Sequence, residues 1–311
     1  MTDERSSAGP GEYALLLLLA FLWGGSFTLI EVALASFPPA TIVACRIGLG
    51  GLVLLIIALA RRETFPRTGR TWAELLVQGT LQGGLPFFLI SWGQQHVASS
   101  VAGIVNSTPP MFVFLLTVFV LRTAPFDAQK LLGIVLGLGG VTLIATATAS
   151  GTDDSSVLAV LAVTGASLSY ACGAIYGRRF ADQSVFVTAS TSLLLAAALI
   201  APFAYLLDDP FDLQPALAPT LALLGLALFS TALASLIYFR LIKTLGSLAT
   251  TSNAYLRALF SILLGIVLLS EPFTWSIAAA TVLIFLGVFM VTGQFRRLVT
   301  DRLRPREAGN A

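Results

Sequence analysis

Ten runs of mainly apolar residues, each about 20 residues long, follow one another along this chain with polar turns between them. They fall at 12–33, 40–60, 73–93, 98–121, 127–147, 156–178, 184–206, 219–242, 247–270 and 274–295. A hydrocarbon core about 30 Å thick needs a helix of that length to cross it. Turn residues punctuate the map: Pro38-Pro39, Thr64 to Gly69 with Pro66, Pro125, Gly151, Pro210 to Pro215, Gly246 and Pro272. Composition agrees, because the chain is 56% hydrophobic and only 11% charged, against about 25% charged in a water-soluble domain. In water, so apolar a chain would expose large adhesive patches. The expected fold is an all-α membrane protein with ten transmembrane helices.

The basic residues test this map, because Lys and Arg collect in cytoplasmic loops. Arg5, Arg61, Arg62, Arg67, Arg70, Arg122, Lys130, Arg178, Arg179, Arg240, Lys243, Arg296, Arg297, Arg302, Arg304 and Arg306 all fall on one side, 16 of the 18 basic residues. The opposite loops carry Asp153, Asp154, Asp208, Asp209, Asp212 and Glu271 instead. This segregation predicts a multi-pass protein with both termini cytoplasmic, as in a bacterial inner membrane. The polar start, with acids beside Arg5, lacks the basic segment and cleavage site of a signal peptide.

A shift of 147 residues lays the second half of the chain on the first. Trp23 then meets Tyr170, Leu81 meets Leu228, Ser100 meets Ser247, Ala102 meets Ala249 and Asn106 meets Asn253. Pro125-Phe126 meets Pro272-Phe273, and Gly140-Val141 meets Gly287-Val288. Five helices per copy is an odd number, so the second copy must enter the membrane inverted. Arg61-Arg62 correspond to Asp208-Asp209, opposite charges on opposite sides. The expected organisation is a tail 1–11, a first repeat 12–147, an outer linker 148–155, a second, inverted repeat 156–295 and a basic tail 296–311. Inverted repeats around a central cavity are a common architecture of secondary transporters.

Several segments resemble the drug/metabolite transporter superfamily, in particular its ten-helix EamA-type exporters. They are Trp23-Gly24-Gly25-Ser26-Phe27, Arg46, Ala98 to Val113, Gly133 with Gly139-Gly140-Val141, Tyr170 to Arg179, and Gly246 to Pro272 with its closing Leu-Leu-Ser-Glu-Pro. The resemblance spans nearly the whole chain. It implies export of small metabolites such as amino acids, aromatic ones included, or of drug-like compounds. It also implies that the fifth and tenth helices stand outside a bundle of the other eight. Two departures stand out. The family often ends its fourth helix on Gly-Glu, where this chain has Leu121-Arg122-Thr123, and it favours proline at the position held here by Arg257.

Arg257 is the leading candidate for substrate binding. It sits near the middle of its span, where an arginine costs about 2.5–3.5 kcal/mol on insertion scales. Its planar fork suits a carboxylate; the alternative is a structural bond to carbonyls of a broken helix or to a buried glutamate. Asn253 lies one turn earlier, and its mate Asn106 precedes Pro109-Pro110, which free backbone carbonyls. The two asparagines read equally as polar contacts for a ligand or as interhelical glue. Gln78 and Gln82 form a polar stripe before Gly83-Gly84 and Pro86. Tyr170, Trp23, Trp92, Tyr176 and Tyr255 supply aromatic wall, although Trp92 also reads as an interfacial belt residue. Glu31 and Arg46 are expected to form an ion pair or gate.

Other chemistry finds little support. Cys45 and Cys172 are far apart and His96 is the single histidine, so neither a disulfide framework nor a metal centre is expected. No phosphate-binding loop or cofactor motif is present, and the basic residues follow the membrane side rather than a nucleic-acid surface. An intramembrane enzyme would need a nucleophile and base within reach. A non-transporting sensor or scaffold would not need buried polar residues at a repeat interface. Gly133 and Gly137 form a small-residue face for packing within the chain or between two copies, leaving monomer and homodimer open. If the charge map is right, a fluorescent protein fused to the C-terminus will fluoresce and alkaline phosphatase fused there will be inactive. The reverse pattern would refute the orientation.

Overall fold

The computed structural model describes residues 10–148, 155–245 and 253–292. Arg5, the basic tail from Arg296, Gly151, Asp153-Asp154, Gly246 and the opening of the ninth span at 247–252 lie outside the described residues. The described residues are helical, with no strand. We number the spans α1 (Pro10–Leu34), α2 (Pro39–Ala60), α3 (69–93), α4 (Ser99–Val120), α5 (Ala128–Thr148), α6 (Ser155–Phe180), α7 (Val185–Asp208), α8 (Leu217–Leu241), α9 (Asn253–Leu269) and α10 (Trp275–Val291). Seven are long and apolar enough to cross a membrane, and α9 and α10 are shorter apolar helices. The remaining one, α3, is helical throughout, but Arg70, Glu74, Gln78 and Gln82 dilute its hydropathy.

Local chemistry sets the helix ends. Pro39 opens α2 at the first turn, where its missing N–H costs nothing. Thr68 caps α3 and Thr274 caps α10, each accepting from a backbone amide three residues on. Helices α2 and α7 are each followed by a residue with positive φ, Arg62 at 56° and Asp209 at 43°. Those two positions are 147 residues apart, so the duplication extends to backbone conformation.

Helix irregularities repeat as well. A π-helical segment at Thr80–Gly84 interrupts α3, and another at Leu226–Leu233 interrupts α8. Shifted by 147, the first lies inside the second. The packing pairs obey the same exchange of halves: α2 runs along α7 and α5 along α10, each a helix with its own mate. The helix α1 packs on α9 and α8, while its mate α6 packs on α4 and α3. The fold is therefore two five-helix repeats, inverted by their odd count, with their contacts made mainly across the halves.

Large apolar side chains cover the outside. Leu206, Leu207, Val267, Leu268 and Trp275 are exposed, as expected where lipid is the solvent. Between α5 and α10 the backbones nearly touch: a Cβ at Gly133 would stand 2.7 Å from the Gly287 carbonyl, and one at Gly140 2.8 Å from the Ala280 carbonyl. Gly133 thus serves packing within the chain, and Gly137 faces Met111. Replacing Gly287 with valine would drive a side chain into the Gly133 and Gly137 backbone. Overpacking of that kind costs about 1–3 kcal/mol, so Gly287→Val is expected to lower the midpoint of thermal unfolding in detergent. An unchanged midpoint would refute the packing assignment.

Candidate binding site at the repeat interface

Helix α4 breaks in the middle. Its first segment ends at Val105, Asn106 to Thr108 form a turn, and Pro109 starts the second segment. The proline pair cannot donate back to the turn, so carbonyls there lose their helical partners. Arg257 of α9 reaches across from the other repeat and donates from Nη2 to the Asn106 carbonyl at 2.7 Å. Its Nε is enclosed without an acceptor. The Asn106 side chain accepts from Ser167 of α6 at 3.3 Å. One turn beyond Ser167 stands Tyr170, whose ring meets Phe87 of α3 edge-on at 6.4 Å.

Phe87 carries the second buried cation. The Arg46 guanidinium stacks 3.9 Å from its ring centroid, and Arg46 Nε donates to Thr231 Oγ1 at 3.0 Å. Thr231 lies in the π-helical segment of α8 and donates in turn to the Leu226 carbonyl at 2.9 Å. Tyr170 lies within electrostatic range of both arginines. No ion pair joins either arginine to a carboxylate within 4 Å among the described residues.

The expected pair of Glu31 with Arg46 is not formed. Arg46 faces α3 and α8, whereas Glu31 accepts from Gln94 at 3.5 Å, and Gln94 also donates to the Phe27 carbonyl at 2.8 Å. Comparable depth suggested the pairing, but the two side chains leave their helices in different directions. Asn253 does not meet Asn106. Its amide donates to the Leu16 carbonyl at 3.0 Å and ties α9 to α1, the interhelical use. Gln78 and Gln82 lie against Gly177 and Gly173 on the α3–α6 seam, with Gln82 exposed and Gln78 Oε1 enclosed without a donor.

The aromatic residues disperse. Trp23 packs on Tyr238 at 5.4 Å between α1 and α8. Tyr255 turns to α10, edge-on to Phe285 at 5.6 Å and 3.4 Å from Thr292 Oγ1. Trp92 meets the His96 ring at 5.2 Å, tilted by 60°, near one end of α3, and Arg179 lies over the Tyr176 ring at 4.4 Å near the end of α6. Of the expected aromatic wall, only Tyr170 lies beside the arginines. Phe87, Thr231 and Ser167 were not anticipated, although Ser230-Thr231 is a visible polar interruption of the eighth apolar run.

The two faces of the bundle are held differently. On the face with acidic loops, Asp208 at the end of α7 accepts from Thr41 N and Oγ1, both at 2.8 Å, capping α2. Glu271 accepts from Ser99 N at 2.8 Å and Ser100 N at 3.0 Å, capping α4. Both are anions at helix N-termini, where freed amides and the macrodipole favour them. On the basic face the mate of Asp208 is Arg61, which lies over Phe186 at 4.8 Å, and the hydroxyl of Thr188, mate of Thr41, is enclosed without a partner. There Glu12 links α1 to Arg240 at 2.9 Å and to Thr244 at 2.8 Å. A cleft of about 340 Å³ also opens there, between the loop at Thr64 to Thr68 and that at Asp182 to Ser184; none of the expected site residues lines it.

Inverted repeats that meet at a broken helix and a buried cation define a class, the membrane transporters built from repeated halves. Comparison with known proteins gives the family. The model of the EamA-like transporter family matches twice, over residues 11–146 and 157–293, and the chain belongs to that family. It is 27% identical to the uncharacterized transporter YvbV of Bacillus subtilis over 89% of this chain and 90% of that one. It is 25% identical to the uncharacterized inner membrane transporter YedA of Escherichia coli, over 91% of each. A solved crystal structure matches with a TM-score of 0.65 at 22% identity, covering 93% of this chain and 98% of the other, which supports the fold.

The carboxylate caps give a test. Losing such a cap costs about 0.5–2 kcal/mol. Asp208→Ala and Glu271→Ala are each expected to lower thermal stability and to speed thiol labelling of Ala102→Cys from the acidic face in a background lacking Cys45 and Cys172. Labelling rates equal to those of the parent would show that these carboxylates do not hold that face.

Proposed function

We propose that this membrane transporter is a secondary carrier that exports small carboxylate-bearing metabolites, amino acids among them, by alternating access. The observation that carries the reading is Arg257 at the break in α4, a cation from one repeat held by a backbone carbonyl of the other. That bond uses one of five guanidinium N–H groups. It fixes the orientation of the fork and leaves donors for a ligand carboxylate. At 1.5 Å per residue, Arg257 stands about 18 Å from the end of α9 at Leu269, well inside the bilayer.

Supporting the alternating-access part are the contacts that differ between the two faces. Carboxylate caps join α2 to α7 and α4 to the end of α9 on the acidic face, and among the described residues the Glu12–Arg240 ion pair joins α1 to α8 on the basic face. Each set can release without breaking the repeats themselves. The positive loops support a cytoplasmic basic face and cytoplasmic termini, in keeping with a bacterial inner membrane.

The decisive experiment is uptake into proteoliposomes across an amino-acid panel, with and without a pH gradient. Loss of a charged hydrogen bond costs about 1.5–3 kcal/mol, about ten- to a hundredfold in affinity. Arg257→Ala is therefore expected to reduce transport of carboxylate-bearing substrates by about that factor. Transport confined to cations and untouched by the substitution would refute the reading.

A further inference from the structure

The cleft on the basic face has no part in the site between the repeats. It holds about 340 Å³ between the α2–α3 loop of the first repeat and the α6–α7 loop of the second. Arg67 lines it from one loop and Asp182 from the other. These opposite charges share the cleft without pairing, and among the described residues no ion pair, hydrogen bond or ring contact answers either side chain. Phe65, Pro66 and Val187 add apolar wall beside them. Trp72, one turn into α3, is exposed, and its indole N–H donates to the Pro66 carbonyl at 3.0 Å. Exposed tryptophans collect at the boundary between membrane and water, which sets the cleft at the level of lipid headgroups.

The inverted repeat shows what this place lacks. Helices α3 and α7 both start at the basic face and pack on each other, while their mates α8 and α2 start at the acidic face and do the same. There the chain supplies its own anion: Asp208 accepts from the Thr41 amide and hydroxyl at the start of α2. On the basic face the mate of Asp208 is Arg61, which only donates. Ser184 precedes α7 without capping it, and its hydroxyl has no partner. Where a carboxylate of the chain closes the acidic face, the basic face keeps an open cleft with a cation on one wall and an anion on the other.

We propose that this cleft holds the headgroup of a zwitterionic phospholipid of the phosphoethanolamine type, drawn from the leaflet on the basic side. Its phosphate lies against Arg67, with the uncapped start of α7 adding to the attraction. Its ammonium lies at Asp182, and the glycerol end follows Phe65 and Pro66 toward the bilayer. Both charges of the cleft are then answered. A purely anionic headgroup would set its charge against Asp182, and a choline headgroup has no N–H for that carboxylate to accept. Because each repeat contributes one wall, the bound lipid clasps the basic face as Asp208 clasps the acidic one. The inference is independent of what the carrier transports.

The full chain in detergent would be titrated with dioctanoyl phosphatidylethanolamine, phosphatidylcholine and phosphatidylglycerol, and with free phosphoethanolamine. Native mass spectrometry would count bound lipid, and thermal unfolding would report stabilisation. An interaction between exposed charges changes affinity by up to about fivefold. The ethanolamine lipid is therefore expected to bind about fivefold more tightly than the glycerol and choline lipids. Asp182→Asn should abolish its preference over the glycerol lipid, and Arg67→Gln should weaken both of these lipids. Both positions are exposed and lie outside the spans, so each variant should unfold at the parental temperature when no lipid is added. Binding of phosphatidylglycerol as tight as that of phosphatidylethanolamine, or a preference that survives Asp182→Asn, would overturn the proposal. Equal stabilisation by free phosphoethanolamine would overturn the lipid as occupant and assign the cleft to a soluble zwitterion.

Discussion

A peptide carbonyl freed from its helix inside a bilayer finds no water and must be answered by the protein itself. Much of this molecule's polar architecture follows from that constraint. The π-helical segment of α3 loosens the backbone near Leu81, whose carbonyl accepts from Ser169 of α6 at 2.9 Å. The π-helical segment of α8 does the same at Leu226, answered by Thr231. The break in α4 exposes the Asn106 carbonyl, answered by Arg257. In two of these three cases the donor comes from the opposite half of the chain, so satisfying the backbone also fastens the repeats together. The third donor, Thr231, accepts from Arg46 of the first half. The irregularities of the helices and the cations between the repeats are thus parts of one arrangement.

The fold was legible in the sequence because span length, turn residues and charge sidedness are each written in side-chain type. The site was legible only in part. Arg257 announces itself as a charge within an apolar run, but its partner is a backbone carbonyl, which leaves no mark at position 106 beyond the prolines that follow. Glu31 and Arg46 were matched by depth along their helices, and depth says nothing about rotation around the helix axis. The repeat mates Trp23 and Tyr170, and likewise Asn106 and Asn253, end in different neighbourhoods. A pseudo-two-fold carries a residue to its mate's equivalent surroundings; only residues near the axis touch their own mates. Sharing an offset therefore identifies equivalent places, not a common site.

Equivalent places have also diverged, and the buried cations stand where they have. Position 46 is arginine and its mate is Leu193, which packs toward Gly83 where Arg46 meets Thr231. Position 257 is arginine and its mate is Pro110 in the α4 break. Asp208 and Glu271 cap helices on one face, while their mates Arg61 and Ala124 cannot. A strictly symmetric duplicate would hold both faces by the same contacts and would place its cations in mirrored pairs. In three of these four pairs one copy keeps an apolar or conformational role and the other takes a charge; at Asp208 and Arg61 the two copies take opposite charges. The backbone thus retains its two-fold while the side chains give its two faces different contacts.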